Sequence, residues 1–119
     1  MSGLVSGATN SPPGLVGDPG VAKAWCRIEA AGTLTGGGDL DYNVASITDH
    51  STGVRTIVWD VDFADAEYSV VGSINDTSVG LLFPVFDDNN AVGSVGHNIY
   101  NTSSALIDEE TCVVAFGEQ

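Results

Sequence analysis

Paired carboxylates are the first chemistry this sequence offers, at Asp39/Asp41, Asp60/Asp62, Asp87/Asp88 and Glu109/Glu110. Two acids side by side can divide the roles of proton donor and nucleophile in glycoside hydrolysis, or supply oxygen ligands to Ca²⁺. In 60–62 both carboxylates project from one face of an extended strand, which is equally the pattern of a solvated sheet face. Asp87-Asp88-Asn89-Asn90 gathers oxygen donors at a loop tip. It lacks the Asp-x-Asp-x-Asp-Gly spacing and distant Glu of an EF-hand, which leaves at most a weak calcium site. His50 and His97 stand beside turn residues or glycine, without Cys or Glu at metal-ligand spacing. The sequence has no HExxH, GxSxG, P-loop or dinucleotide glycine fingerprint. The expectation is a protein that is not an enzyme and takes no cofactor or metal.

Recognition has more support than catalysis. Sugar rings stack on aromatic faces while Asp and Asn exchange hydrogen bonds with hydroxyls. Asp87, Asp88, Asn89 and Asn90, followed by His97, Asn98 and Tyr100, form a candidate receptor-binding group, although Tyr100 would serve equally as a half-buried strand residue. The stretch 22–29, AKAWCRIE, is a second candidate. Strand alternation puts Ala22, Ala24, Cys26 and Ile28 on a core face and Lys23, Trp25, Arg27 and Glu29 on the other. In a chain of formal charge −13, a tryptophan flanked by two cations is either solvated or meets an acidic partner surface. Lys23, Trp25 and Arg27 are therefore candidate subunit-interface residues.

The elements that must position these groups are bounded by length and composition. At 119 residues the chain is one domain, able to bury roughly two-thirds of its unfolded surface. Sixteen acidic residues against three basic ones argue against phosphate-backbone binding and against anionic membranes. With 43% hydrophobic and only 16% charged residues, the composition is that of a folding domain rather than an acidic tail. No apolar run reaches the roughly 18 residues of a spanning helix. The start, MSGLVSGATN, lacks the features of a signal peptide, so synthesis in the cytoplasm and free thiols at Cys26 and Cys112 are expected, the alternative being a disulfide if their two strands are neighbours with suitable Cβ vectors.

Residues 1–20 are rich in Gly, Ser and Pro and read as a flexible extension or linker, followed by an all-β domain at 21–119. Three triplets with Gly in third place, at 12–20, are either chance or a short collagen-like entry of three chains. Strands are expected at 22–29, 42–49, 54–63, 68–74, 79–86, 96–100, 103–108 and 111–116, with a hairpin loop at 49–53 turning on Gly53. In 54–63 the face of Arg55, Ile57, Trp59, Val61 and Phe63 should be core. Gly36-Gly37-Gly38 reads as a flexible connection, and 64–68 as one helical turn. The fold class expected is a small antiparallel β-sandwich or β-prism-like domain. Its edge strands invite pairing unless covered, which threefold association would achieve while Lys23 and Arg27 met carboxylates of an adjacent subunit.

The order of AKAW at 22–25, YNVASITDHSTG at 42–53, YSVVGSI at 68–74 and VVAFGEQ at 113–119 resembles the terminal domain of bacteriophage tail-fibre and related virion structural proteins. The resemblance covers about 22–119. Cys26-Arg27-Ile28 and Glu118 depart from that pattern, and 80–104 carries no matching motif. It implies an all-β homotrimer in the virion, partnered by other tail or fibre proteins, that attaches to a host-surface glycan or protein without nucleic-acid binding or membrane insertion. A purely structural trimerisation or capsid- or tail-decoration domain is the alternative, and a polysaccharide depolymerase is disfavoured by length.

Overall fold

A computed structural model describes residues 20–35, 41–75, 82–86 and 90–119. The 1–19 extension, the 36–38 glycines, Asp39 and the Asp87, Asp88 and Asn89 loop tip lie outside the described residues. Among the described residues the chain is all-β, with eight strands: β1 (Ala22–Ile28), β2 (Asp41–Tyr42), β3 (Val44–Ser51), β4 (Val54–Trp59), β5 (Ser69–Ile74), β6 (Leu82–Phe86), β7 (Ser94–Asn101) and β8 (Thr111–Phe116). They form two antiparallel sheets, ordered β2-β1-β8-β5 (sheet A) and β3-β4-β7-β6 (sheet B). No helix among the described residues is long and apolar enough to cross a membrane.

The core lies between the sheets. Sheet A contributes Ala24, Cys26, Ile28, Val113 and Ala115, and sheet B contributes Val44, Ile57, Trp59 and Val95. These positions follow the period of two that buries one face of each strand. The faces are stitched together by Arg55, whose guanidinium donates to the carbonyls of Glu109 at 3.1 Å and Ala30 at 2.7 Å. Such bonds let a cation sit inside because Nη1 and Nη2 find carbonyl partners and the Asp108 carboxylate lies 3.6 Å from Nη2, while the buried Nε has no partner.

Four features depart from the alternation expected of the sequence. The β1–β8 register shifts between Ala22 and Ala24, so two consecutive residues turn inward and Lys23 is only 4% exposed. Lys23 therefore does not share the outer face of Trp25 and Arg27; its ammonium donates to the Val21 carbonyl at 3.1 Å. A bulge of this kind reverses the facing of every residue before it. Next, 42–49 is not one strand. Asn43 takes a left-handed φ of 57°, and there the chain leaves sheet A for sheet B. Its side chain anchors the crossing, donating to the Val61 carbonyl at 3.1 Å and accepting from the Val61 amide at 2.6 Å.

Third, β4 ends at Trp59, so Val61 is 59% exposed although Phe63 returns to the core. The 64–68 segment is bends rather than a helical turn. Phe63 stacks on Tyr68 at 4.1 Å, and Trp59 meets both rings edge-on at 5.7 and 6.0 Å. The Trp59 indole donates to the Tyr68 hydroxyl at 3.1 Å, and that hydroxyl lies 2.8 and 2.7 Å from the carbonyls of Ala91 and Ser94. Fourth, 103–108 is not a strand; it makes only an isolated bridge between Leu106 and Tyr100. Asn101 curls it, its side-chain oxygen accepting from the amides of Ser103 at 2.9 Å and Ala105 at 3.0 Å.

Gly53 turns the β3–β4 hairpin at φ +69°, with a tighter loop than 49–53 because β3 runs on to Ser51. A Cβ there would lie 2.7 Å from the Ile107 amide nitrogen. Its own amide donates to Asp108 at 2.7 Å. Gly53→Ala combines a left-handed backbone with a clash against main chain, and should cost about 2 kcal/mol. Urea midpoints measure it, and an unchanged midpoint would contradict the close packing of the hairpin on 107.

The termini of the described domain pair as neighbours, β1 with β8, yet Cys26 and Cys112 face opposite sides of sheet A. Cys26 aligns with Val113 in the core, whereas Cys112 aligns with Arg27 outside, and both are free thiols. Burial pushes the Cys26 thiol up to about 12, with Asp41 adding to the effect.

Candidate ligand-binding face

Strand β7 sorts the expected receptor-binding residues. Its side chains alternate, Val95, His97 and Ile99 inward and Ser94, Gly96, Asn98 and Tyr100 outward. His97 and Tyr100 thus belong to different faces, and the structure separates the group that sequence proximity joins.

His97 is fully buried. It lies opposite Arg55 in register and 5.2 Å from the Phe86 ring, and neither imidazole nitrogen has a hydrogen-bond partner. Burial, reinforced by the Arg55 charge, pulls its pKa down to about 4, so the ring is neutral near pH 7. An imidazole in that position packs the core and presents no atom to a ligand. Asn90 is half-buried, its side-chain oxygen without a partner. Asp60 and Asp62 are exposed in the segment that follows the end of β4 and are not strand-face neighbours.

Asn98 and Tyr100 do share a face, and the neighbouring strands complete it. Across β6, Phe83 stands opposite Tyr100 and Val85 opposite Asn98. On the other side β4 places Val54 opposite Asn98, and beyond its end the Asn101 turn brings Leu106 opposite Tyr100. The Ile107 amide fixes this arrangement by donating to the Ile99 carbonyl at 3.1 Å. Two adjacent rows result, Leu106–Tyr100–Phe83 and Val54–Asn98–Val85. At strand spacing the platform measures about 10 by 7 Å. Phe83 is 47% exposed, and Val85 and Leu106 are exposed beside it.

Cross-strand neighbours with Cβ atoms about 5 Å apart form a continuous apolar surface, here carrying one amide and one phenol. Such a platform can stack a flat apolar ring face and hydrogen-bond its rim. Phe83 and Val85 were not legible as members because 81–86, LLFPVF, is apolar throughout and marks no outer side. Pro84 was the only signal there, since proline within a sheet favours an edge strand, and β6 is one.

Sheet A carries the other two expected contact residues. Trp25 is 44% exposed on its outer face. Arg27 is engaged within the chain, its Nε and Nη2 donating to Glu110 at 2.7 and 2.9 Å. Asn75 donates to the same carboxylate at 2.8 Å, and these partners hold the Glu110 pKa below the usual range. Among the described residues no group of three or more His, Cys, Asp or Glu side chains could hold a metal ion. Neither family models, nor curated proteins, nor solved structures yield a match to this chain.

Proposed function

We propose that this chain is a virion attachment domain, the tip or adaptor of a bacteriophage tail fibre, acting as a homotrimer without catalysis. Its ligand is a host-surface glycan held on the outer face of β6 and β7. The virion setting rests on the sequence resemblance, and the glycan assignment on one observation: exposed Phe83 and half-buried Tyr100 stand side by side on the outer face beside the Asn98 amide. Aromatic rings next to an amide suit a sugar, whose apolar ring face stacks while its hydroxyls seek donors and acceptors. A shallow platform binds weakly, and three copies at fixed spacing gain avidity without new contacts.

Purified protein on an array of bacterial surface polysaccharides tests the reading. Tyr100→Ala and Phe83→Ala should each weaken binding at least tenfold, about 1.4 kcal/mol, with circular dichroism showing both variants folded and with the smaller change in thermal midpoint for exposed Phe83 than for half-buried Tyr100. Binding undiminished in both variants would remove the platform as the site. Absence of any glycan binding would favour the second reading, a structural trimerisation or decoration domain. The exposed Trp25 face on the opposite sheet supports that second reading.

A further inference from the structure

The outer face of sheet A carries a row that crosses all four strands. Register aligns Tyr42 of β2, Trp25 of β1, Val114 of β8 and Val71 of β5. At strand spacing the row is about 14 Å long. Tyr42, Trp25 and Val71 are exposed and Val114 is half-buried. Beside the row, Trp25, Arg27, Cys112 and Val114 border a shallow open depression of about 400 Å³. The face therefore offers tall rings next to a hollow, the relief into which a facing side chain can insert.

Charge indicates what meets it. The chain has three cationic side chains and a formal charge of −13. Lys23 and Arg55 are buried, which makes Arg27 the only Lys or Arg side chain at the surface. Two copies of so acidic a chain repel wherever their carboxylates converge. Contact through the uncharged row, beside the one surface Lys or Arg side chain and its Glu110 partner, brings none of the row's own residues into charge repulsion. Arg27 and Glu110 also lie side by side, so one copy's guanidinium can meet a neighbouring copy's carboxylate while the apolar rows gather against one another.

We propose that a second copy of this chain docks on the outer face of sheet A, with the Tyr42–Trp25–Val114–Val71 row at the centre of the contact and Arg27–Glu110 at its rim. This rests on the reading of the chain as self-associating, but the face is assigned independently of the number of copies. Sedimentation velocity of the full chain at micromolar concentration, with Trp25→Glu and Val71→Glu compared, tests it. Circular dichroism establishes that each variant is folded, and Val71→Glu, at an exposed edge position, carries the comparison alone should Trp25→Glu unfold. The expected result is an oligomer for the parent chain and the mass of a single chain for the variants. A dimeric parent that dissociates in the variants upholds the face and overturns the threefold reading. A trimer unchanged by both substitutions overturns the face and leaves the trimer standing. A monomeric parent overturns both.

Discussion

Lowering the pH from 7 to 4 is expected to remove about 3 kcal/mol of folding stability through His97 alone. The folded-state pKa of this ring is about 4 against 6.5 for the ordinary side chain. Between those values the unfolded chain binds a proton that the fold rejects, so stability falls as pH falls. The contribution is complete above about pH 6.5, is lost progressively toward pH 4, and changes no further below it. Protonating carboxylates relieves the self-repulsion of a chain at −13, whereas Glu110, whose pKa its bond from Arg27 lowers, contributes stability that is lost as pH falls. The His97 effect is therefore read as a difference. Urea unfolding of the parent and of His97→Leu at pH 7 and pH 4 should show the parent losing about 3 kcal/mol more than the variant. Parallel pH profiles would mean that His97 is hydrated, contrary to its burial between Phe86 and Arg55.

Trp59→Ala should destabilise the domain by about 4 kcal/mol, the largest single-residue effect in the core. Trp59 is almost wholly buried, and its ring meets Phe63 and Tyr68 edge-on. Removal leaves a cavity, loses those ring contacts and frees the Tyr68 hydroxyl from the indole donor. That hydroxyl also reaches Ala91 and Ser94, so the damage spreads to the entry of β7. Tyr68→Phe keeps the stacked ring and removes only the oxygen, which should cost about 1 to 3 kcal/mol. Chemical denaturation of the two variants ranks them. A Trp59→Ala loss below that of Tyr68→Phe would show that hydrogen bonding, rather than ring packing, holds this end of the domain.

The strands were legible where one face is buried and the other wet. Thr111–Phe116 matches the structure at both ends, and Ala22–Ile28 and Val54–Trp59 match at their starts, because alternating apolar residues carry a direct signal. Gly53 was legible as a turn because only a residue without Cβ sits easily at φ +69° against the Ile107 backbone. The bulge that buries Lys23 was not, since it depends on how β8 pairs and leaves no mark in AKAWCRIE itself. Asn43 likewise breaks a pattern that reads as continuous, because its left-handed turn is stabilised by the backbone of Val61, eighteen positions away. The candidate face divides in the same way. Asn98 and Tyr100 follow from the period of β7, which also takes His97 away from them, while Phe83, Val54 and Leu106 join only through pairing with other segments.

The placement of the two thiols has a consequence for where this domain can exist. Cys26 and Cys112 occupy adjacent strands, but their side chains leave opposite sides of the sheet, and a disulfide requires Cβ atoms that point toward each other. The fold thus has no internal covalent state to gain or lose with ambient redox potential. Its cohesion comes from the buried faces of two sheets, and Cys26, held as a neutral thiol in the core, is a poor nucleophile for exchange. The same folded chain is available in a reducing cytoplasm and in oxidising surroundings outside a cell, and passage between them requires no rearrangement.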